Sequence, residues 1–130
     1  KRNTYELHQC GSEEFTPDHN SLDFAFTSPP YFDTEKYSNE KSQSYIKFDS
    51  INKWKTKFLK KTIQNAYYGL KLNKFCVLNV ADVKNYTTFE RDTVSIAESV
   101  GFKKVDRFDY QLSSQQDAFK TEPFFIFKKI

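Results

Sequence analysis

The chain has 130 residues with 38% hydrophobic and 18% aromatic content, including 14 Phe and 8 Tyr, which is enough for one domain with a real core and excludes global disorder. Its 20 Lys and Arg against 17 Asp and Glu leave a net charge of +3, too small to mark the whole chain as a polyanion binder. No apolar run approaches the roughly 20 residues of a membrane span, no basic-then-apolar leader resembles a signal peptide, and His8 and His19 lack a Cys or His partner at metal-ligand spacing.

Residues 5–10 read as a short strand ending at Gly11, followed by a polar loop over 12–20 that contains Pro17. Cys10 and Cys76 each fall in an apolar-looking strand. They read as buried free thiols, which fits a reducing, cytoplasmic setting. Residues 22–26 (LDFAF) are expected to form a buried strand. It must stop at Pro29-Pro30, because neither residue has an N–H for the ladder. Residues 32–50 are polar and aperiodic, a long loop of the kind that carries function. Trp54, Phe58, Thr62, Ala66, Tyr67 and Leu70 then recur at helical spacing, with lysines on the other face. Residues 75–80 (FCVLNV) give a second buried strand. Thr87 and Glu90 have capping-box spacing, and the helix they open should end at Gly101 in a left-handed conformation. Val105 to Leu112 is a third strand and 115–121 a loop. Residues 124–127 (FFIF) form a last strand, apolar on both faces and so away from the sheet edge. The order predicts an α/β domain over 1–130, mostly parallel and ending in an antiparallel hairpin.

Charge is unevenly spread. Nine lysines against one acid, Asp49, lie between Lys41 and Lys74. Lys41, Lys47, Lys53, Lys55 and Lys57 are candidates for phosphate contacts; the alternative is a solvated, lysine-rich helix face.

Ligands of open α/β sheets bind at the carboxyl ends of strands, and Thr27-Ser28-Pro29-Pro30-Tyr31 occupies such an end. The prolines stiffen the backbone and leave carbonyls free. A rigid carbonyl beside a hydroxyl suits an –NH2 group, and Tyr31 offers a flat ring for a base, worth about 1–3 kcal/mol per stacked base.

This segment resembles the Ser/Thr/Asp/Asn-Pro-Pro-Tyr/Phe motif of DNA methyltransferases that modify exocyclic amines of nucleobases. The likeness extends through residues 26–38 (FTSPPYFDTEKYS), Trp54, Phe58 and Leu59, and Glu122-Pro123-Phe124, over most of residues 22–130. It implies a Rossmann-like methyltransferase fold, S-adenosylmethionine as cofactor with no metal, and DNA as partner. It further implies a flipped base whose amine hydrogens go to the Ser28 hydroxyl and the Pro29 carbonyl. Pro30 would stiffen the turn and Tyr31 would stack on the base. Serine in the first position favours cytosine N4 over adenine N6. Ser12 and Glu13 match the family's adenine-side strand end and, with Thr27, are the cofactor candidates. The family's Gly-rich cofactor turn has no match, since Gly11, Gly69 and Gly101 are widely separated. Together with the absence of Met, this leads us to expect an upstream cofactor-binding half, or another chain that completes the site. Alternatives are a non-catalytic nucleic-acid-binding domain of the same shape, or an RNA methyltransferase.

Overall fold

A computed structural model describes residues 4–30, 48–113 and 120–130. Four strands form one sheet in the order β1-β2-β4-β3, where β1 is Leu22–Thr27, β2 Leu70–Asn79, β3 Phe102–Ser113 and β4 Lys120–Lys129. β1 pairs with β2 in parallel, and β4 is antiparallel to both β2 and β3. Thus β1, β2 and β3 point the same way, and only β4, returning by the expected hairpin, is reversed. As its two-sided apolar pattern requires, β4 is interior.

A helical run over 51–69, here α1, joins β1 to β2. It comprises Ile51–Lys53, a π-helical stretch Trp54–Leu59 and Lys60–Gly69. In the π stretch, the Lys60 N–H reaches back to the Lys55 carbonyl. The extra residue per turn resets the helical phase. Trp54, Phe58, Leu59 and Ile63 therefore all face the core, where each is at most 5% exposed. α2, Phe89–Val100, joins β2 to β3. Both helices pack on the sheet face that carries Cys76, Leu78, Phe125 and Phe127. Burial in this apolar layer pushes the Cys76 thiol up to about 12, so it behaves as a small hydrophobe.

α2 starts differently from the capping box predicted at Thr87 and Glu90. Its N-cap is Thr88, whose side chain makes no capping bond and instead donates to Asp92 Oδ2 at 3.1 Å. The reciprocal cap comes from outside the helix. Asp82 Oδ1 accepts the Glu90 N–H at 2.7 Å, and Glu90 Oε2 accepts the Asp82 N–H at 2.9 Å. The loop leaving β2 thus does the work of the N-cap. The other end is as expected: Gly101 has φ 129° and donates its N–H to Ala97 and Glu98 carbonyls. The C-terminus of α1 is held by Lys129, only 8% exposed. Its ammonium donates to the Tyr67 and Leu70 carbonyls at 2.7 Å each and to Asn20 Oδ1 at 3.0 Å, a favourable place for a cation.

Two strand expectations are corrected. Residues 5–10 form no strand, and Tyr5, Leu7 and Cys10 are exposed. A strand needs a ladder partner, and none meets them among the described residues. β1 is a strand, but among the described residues it is an edge strand rather than a buried one. Phe24 and Phe26 lie on the helix-free face and are 57% and 55% exposed. Cross-strand register puts Phe75, Phe124 and Phe108 on that same face.

Candidate functional site

The carboxyl ends of β1 and β2 lie side by side, Thr27 being paired with Leu78. Ser28 leaves β1 there. Its hydroxyl donates to Asn79 Oδ1 at 3.0 Å, and Asn79 Nδ2 donates to the Pro123 carbonyl at 3.0 Å. The Val80 N–H reaches the same carbonyl at 3.3 Å. Asn79 is 4% exposed. Three strands are thus tied together at the end where the double proline stops the sheet, with Pro29 buried and Pro30 half-buried. Sequence reasoning named Ser28, Pro29 and Pro30 but missed Asn79. The available signal was a lone polar side chain closing the apolar run 75–80. Tyr31, Lys41 and Lys47 lie outside the described residues, as does most of the loop expected over 32–50.

The segment holding Ser12 and Glu13 is clasped onto α1 instead of forming a strand end. Asn65 Nδ2 donates to the Ser12 carbonyl at 2.9 Å and the Glu13 carbonyl at 3.3 Å. Asn65 Oδ1 accepts from Thr16 at 3.2 Å, and the Ser12 and Thr62 hydroxyls share a hydrogen bond at 2.8 Å. Glu13 is buried. Ser12 and Thr27 meet in one groove of about 390 Å³ beside β1, whose apolar walls include Phe15, Pro17 and Phe26. Two of the three cofactor candidates therefore share a cleft, with Glu13 next to it in sequence. The groove has the flat apolar walls and hydroxyl rim that suit an aromatic ring. Among the described residues nothing resembles a Gly-rich phosphate or carboxylate cradle, and no group of three or more His, Cys, Asp or Glu could hold a metal.

A crossover helix runs back against its strands, so the first turns of α1 start at the sheet end where Ser28 sits. Lys53 pairs with Asp49 at 3.4 Å, both side chains being well exposed; such a contact is weak. Lys57 is exposed. Lys55 differs, reaching Asp92 Oδ2 at 3.6 Å. Asp92 also accepts from the Tyr86 hydroxyl at 2.9 Å and contacts Arg91 at 3.4 Å. Burial pushes the Asp92 carboxyl up, but the Tyr86 and Thr88 hydrogen bonds and the Lys55 and Arg91 charges outweigh it and hold it below its usual value. Burial, then the bond to Asp92, pushes the Tyr86 phenol up. A lowered carboxylate stabilises the fold above its ordinary pKa, near 4, and loses that contribution as pH falls through the lowered value. Asp92→Asn should cost roughly 1–3 kcal/mol at neutral pH. The gap from wild type should close as thermal melts are taken toward about pH 2; a gap independent of pH would show that ionised Asp92 is not the stabilising form.

No protein-family model and no curated protein sequence matches the chain. Solved structures do. A proposed DNA modification methylase of Thermus thermophilus superposes with TM-score 0.67 at 14% identity, over 92% of this chain and 50% of that one. The same protein complexed with S-adenosyl-L-methionine gives 0.63 at 15% identity, over 97% and 54%. An S-adenosylmethionine-dependent methyltransferase of Methanosarcina mazei gives 0.56 at 10% identity, over 92% and 65%. The chain spans about half the length of the Thermus protein. Its sheet and helices are a Rossmann-like methyltransferase fold over that extent.

Proposed function

We propose that this chain is the target-base part of an S-adenosylmethionine-dependent DNA methyltransferase, acting on an exocyclic amine with cytosine N4 favoured over adenine N6. The observation that carries this reading is Ser28-Pro29-Pro30 at the carboxyl end of β1, in a fold shared with methyltransferases. The base leaves the duplex because its amine is out of reach in the stack. Ser28 Oγ and the Pro29 carbonyl accept the two amine hydrogens, which draws the nitrogen lone pair out of conjugation with the ring and aims it. Tyr31 stacks on the base. The cofactor, when bound, supplies an electrophilic methyl carbon and takes back the sulfur–carbon electron pair. Neither Ser28 nor the Pro29 carbonyl is basic enough to keep the amine proton, so it is released to water. The main gain is placement.

The groove lined by Ser12 and Thr27, with Glu13 next to Ser12 in the chain, supports a place for the adenine end of such a donor and nothing more. A Gly-rich turn must then come from another segment or another chain. The test is to incubate DNA with labelled cofactor and this chain, alone and joined to the donor-holding half, and digest to nucleosides. N4-methylcytosine from the joined form only is expected. N6-methyladenine would move the substrate to adenine, no methylated base in either arm would sink the reading, and product from the chain alone would remove the second component.

The exposed lysines at the start of α1 support a phosphate contact. Charge reversal at Lys53 and Lys57 should lower the slope of log affinity against log salt by about 1–2. An unchanged slope would leave both lysines merely solvated. Salt-dependent DNA binding by a joined form that never binds the cofactor would favour the non-catalytic alternative, and methylation of RNA alone would favour an RNA enzyme.

A further inference from the structure

We propose that Asn79 sets the polarity of the Ser28 hydroxyl, making it an obligate acceptor and so selecting bases that present an amine over bases that present a carbonyl. This rests on the methyltransferase reading above. The Pro123 carbonyl can only accept, and it lies 3.0 Å from Asn79 Nδ2. That contact fixes which way the amide is turned. Its other end, Oδ1, also only accepts, so the proton in the 3.0 Å contact with Ser28 must come from the serine. A hydroxyl has one proton and two lone pairs. With the proton committed inward, Ser28 offers only lone pairs to whatever sits before it. An –NH2 hydrogen meets them favourably; a keto oxygen meets them lone pair to lone pair.

The relay is rigid for a physical reason. Asn79 is 4% exposed and is paired with Phe124 in the β2–β4 ladder. The Pro123 carbonyl also takes the Val80 N–H at 3.3 Å, which pins the acceptor itself. All bonds from base amine to Ser28, Asn79 and Pro123 would run in one direction, so each strengthens the next. An unanchored serine hydroxyl rotates and offers either character. Asn79 touches no substrate atom and acts through Ser28, as a positioning residue.

The test uses the DNA-methylating holoenzyme that contains this chain. Asn79→Leu keeps the side-chain bulk and removes both hydrogen bonds. It should lower kcat by about tenfold to a hundredfold while leaving KM for DNA within about twofold. The double variant Ser28→Ala/Asn79→Leu should be no slower than Ser28→Ala alone, because Asn79 has nothing left to orient. A role in packing only would slow both backgrounds by the same factor, and that multiplicative result would overturn the proposal. Asn79→Ser covers the case in which Asn79→Leu does not fold. Its shorter side chain cannot span from Ser28 to the Pro123 carbonyl, so it should lower kcat in the wild-type background and not in the Ser28→Ala background. Equal factors in both backgrounds would also overturn the proposal. If the holoenzyme transfers no methyl group to any base amine, the methyltransferase reading itself fails; if it transfers and Ser28→Ala leaves the rate unchanged, Ser28 is outside the chemistry and the role of Asn79 falls with it. If Ser28→Ala is slow and Asn79→Leu runs at the wild-type rate, only the role of Asn79 fails.

Discussion

Ser28→Ala is expected to reduce methyl transfer by about a hundredfold or more in the complete enzyme, a loss of about 2.7 kcal/mol or more in transition-state stabilisation. The substitution removes the acceptor for one amine hydrogen and leaves Asn79 Oδ1 without the proton that it takes at 3.0 Å. The amine nitrogen then keeps more of its conjugation with the ring and is less well aimed. The fall should be in kcat, with cofactor affinity little changed, since the Ser12–Thr27 groove does not include Ser28 among its walls. Steady-state kinetics on unmethylated DNA reads both. A variant with wild-type kcat would remove Ser28 from the chemistry. Thermal melts serve as the control: Ser28 sits at a strand end and not in the core cluster, so its Tm should move by only a few degrees.

Trp54→Ala is expected to destabilise the fold by about 3–5 kcal/mol, a large share of the roughly 5–15 kcal/mol available to a domain of this kind. Trp54 is fully buried at the start of the π-helical stretch. Its ring lies 5.3 Å from Phe58, 5.6 Å edge-on to Phe89 and 6.2 Å edge-on to Tyr86. It therefore joins α1, the loop after β2 and the start of α2. Truncation opens a cavity where three segments meet, and they cannot all collapse into it. Tm should fall by roughly 10–25 °C, and urea titration should give the same loss. Trp54→Phe, which keeps most of the bulk, should cost distinctly less. A loss below about 1 kcal/mol for Trp54→Ala would show that the π stretch repacks without the ring.

The sequence by itself determined most of the elements and marked the candidate segment. Apolar runs at 22–26, 75–80 and 124–127 became strands because a continuous apolar stretch of that length has few other homes. The spacing of Trp54, Phe58, Thr62 and Ala66 became α1, and Gly101 ended α2 because the chain needs a positive φ there. Pro29-Pro30 marked the end of β1, since two residues without an N–H cannot continue a ladder. Only the tertiary structure decided the rest, because it depends on which segments meet. LDFAF reads as buried from its side chains, yet its burial depends on neighbours, and among the described residues β1 has a partner on one side only. Tyr5 to Cys10 has strand-like composition and no ladder to join among the described residues. Glu90 was correctly seen as half of a cap, but its partner is Asp82, eight residues back. Spacing rules written for one helix turn do not reach that far. The same limit hid Asn79. Its bonds run to Ser28, 51 residues away, and to Pro123, 44 residues away. A local pattern showed that Ser28 stands at a strand end. Which atom takes its proton was set by the packing of three strands.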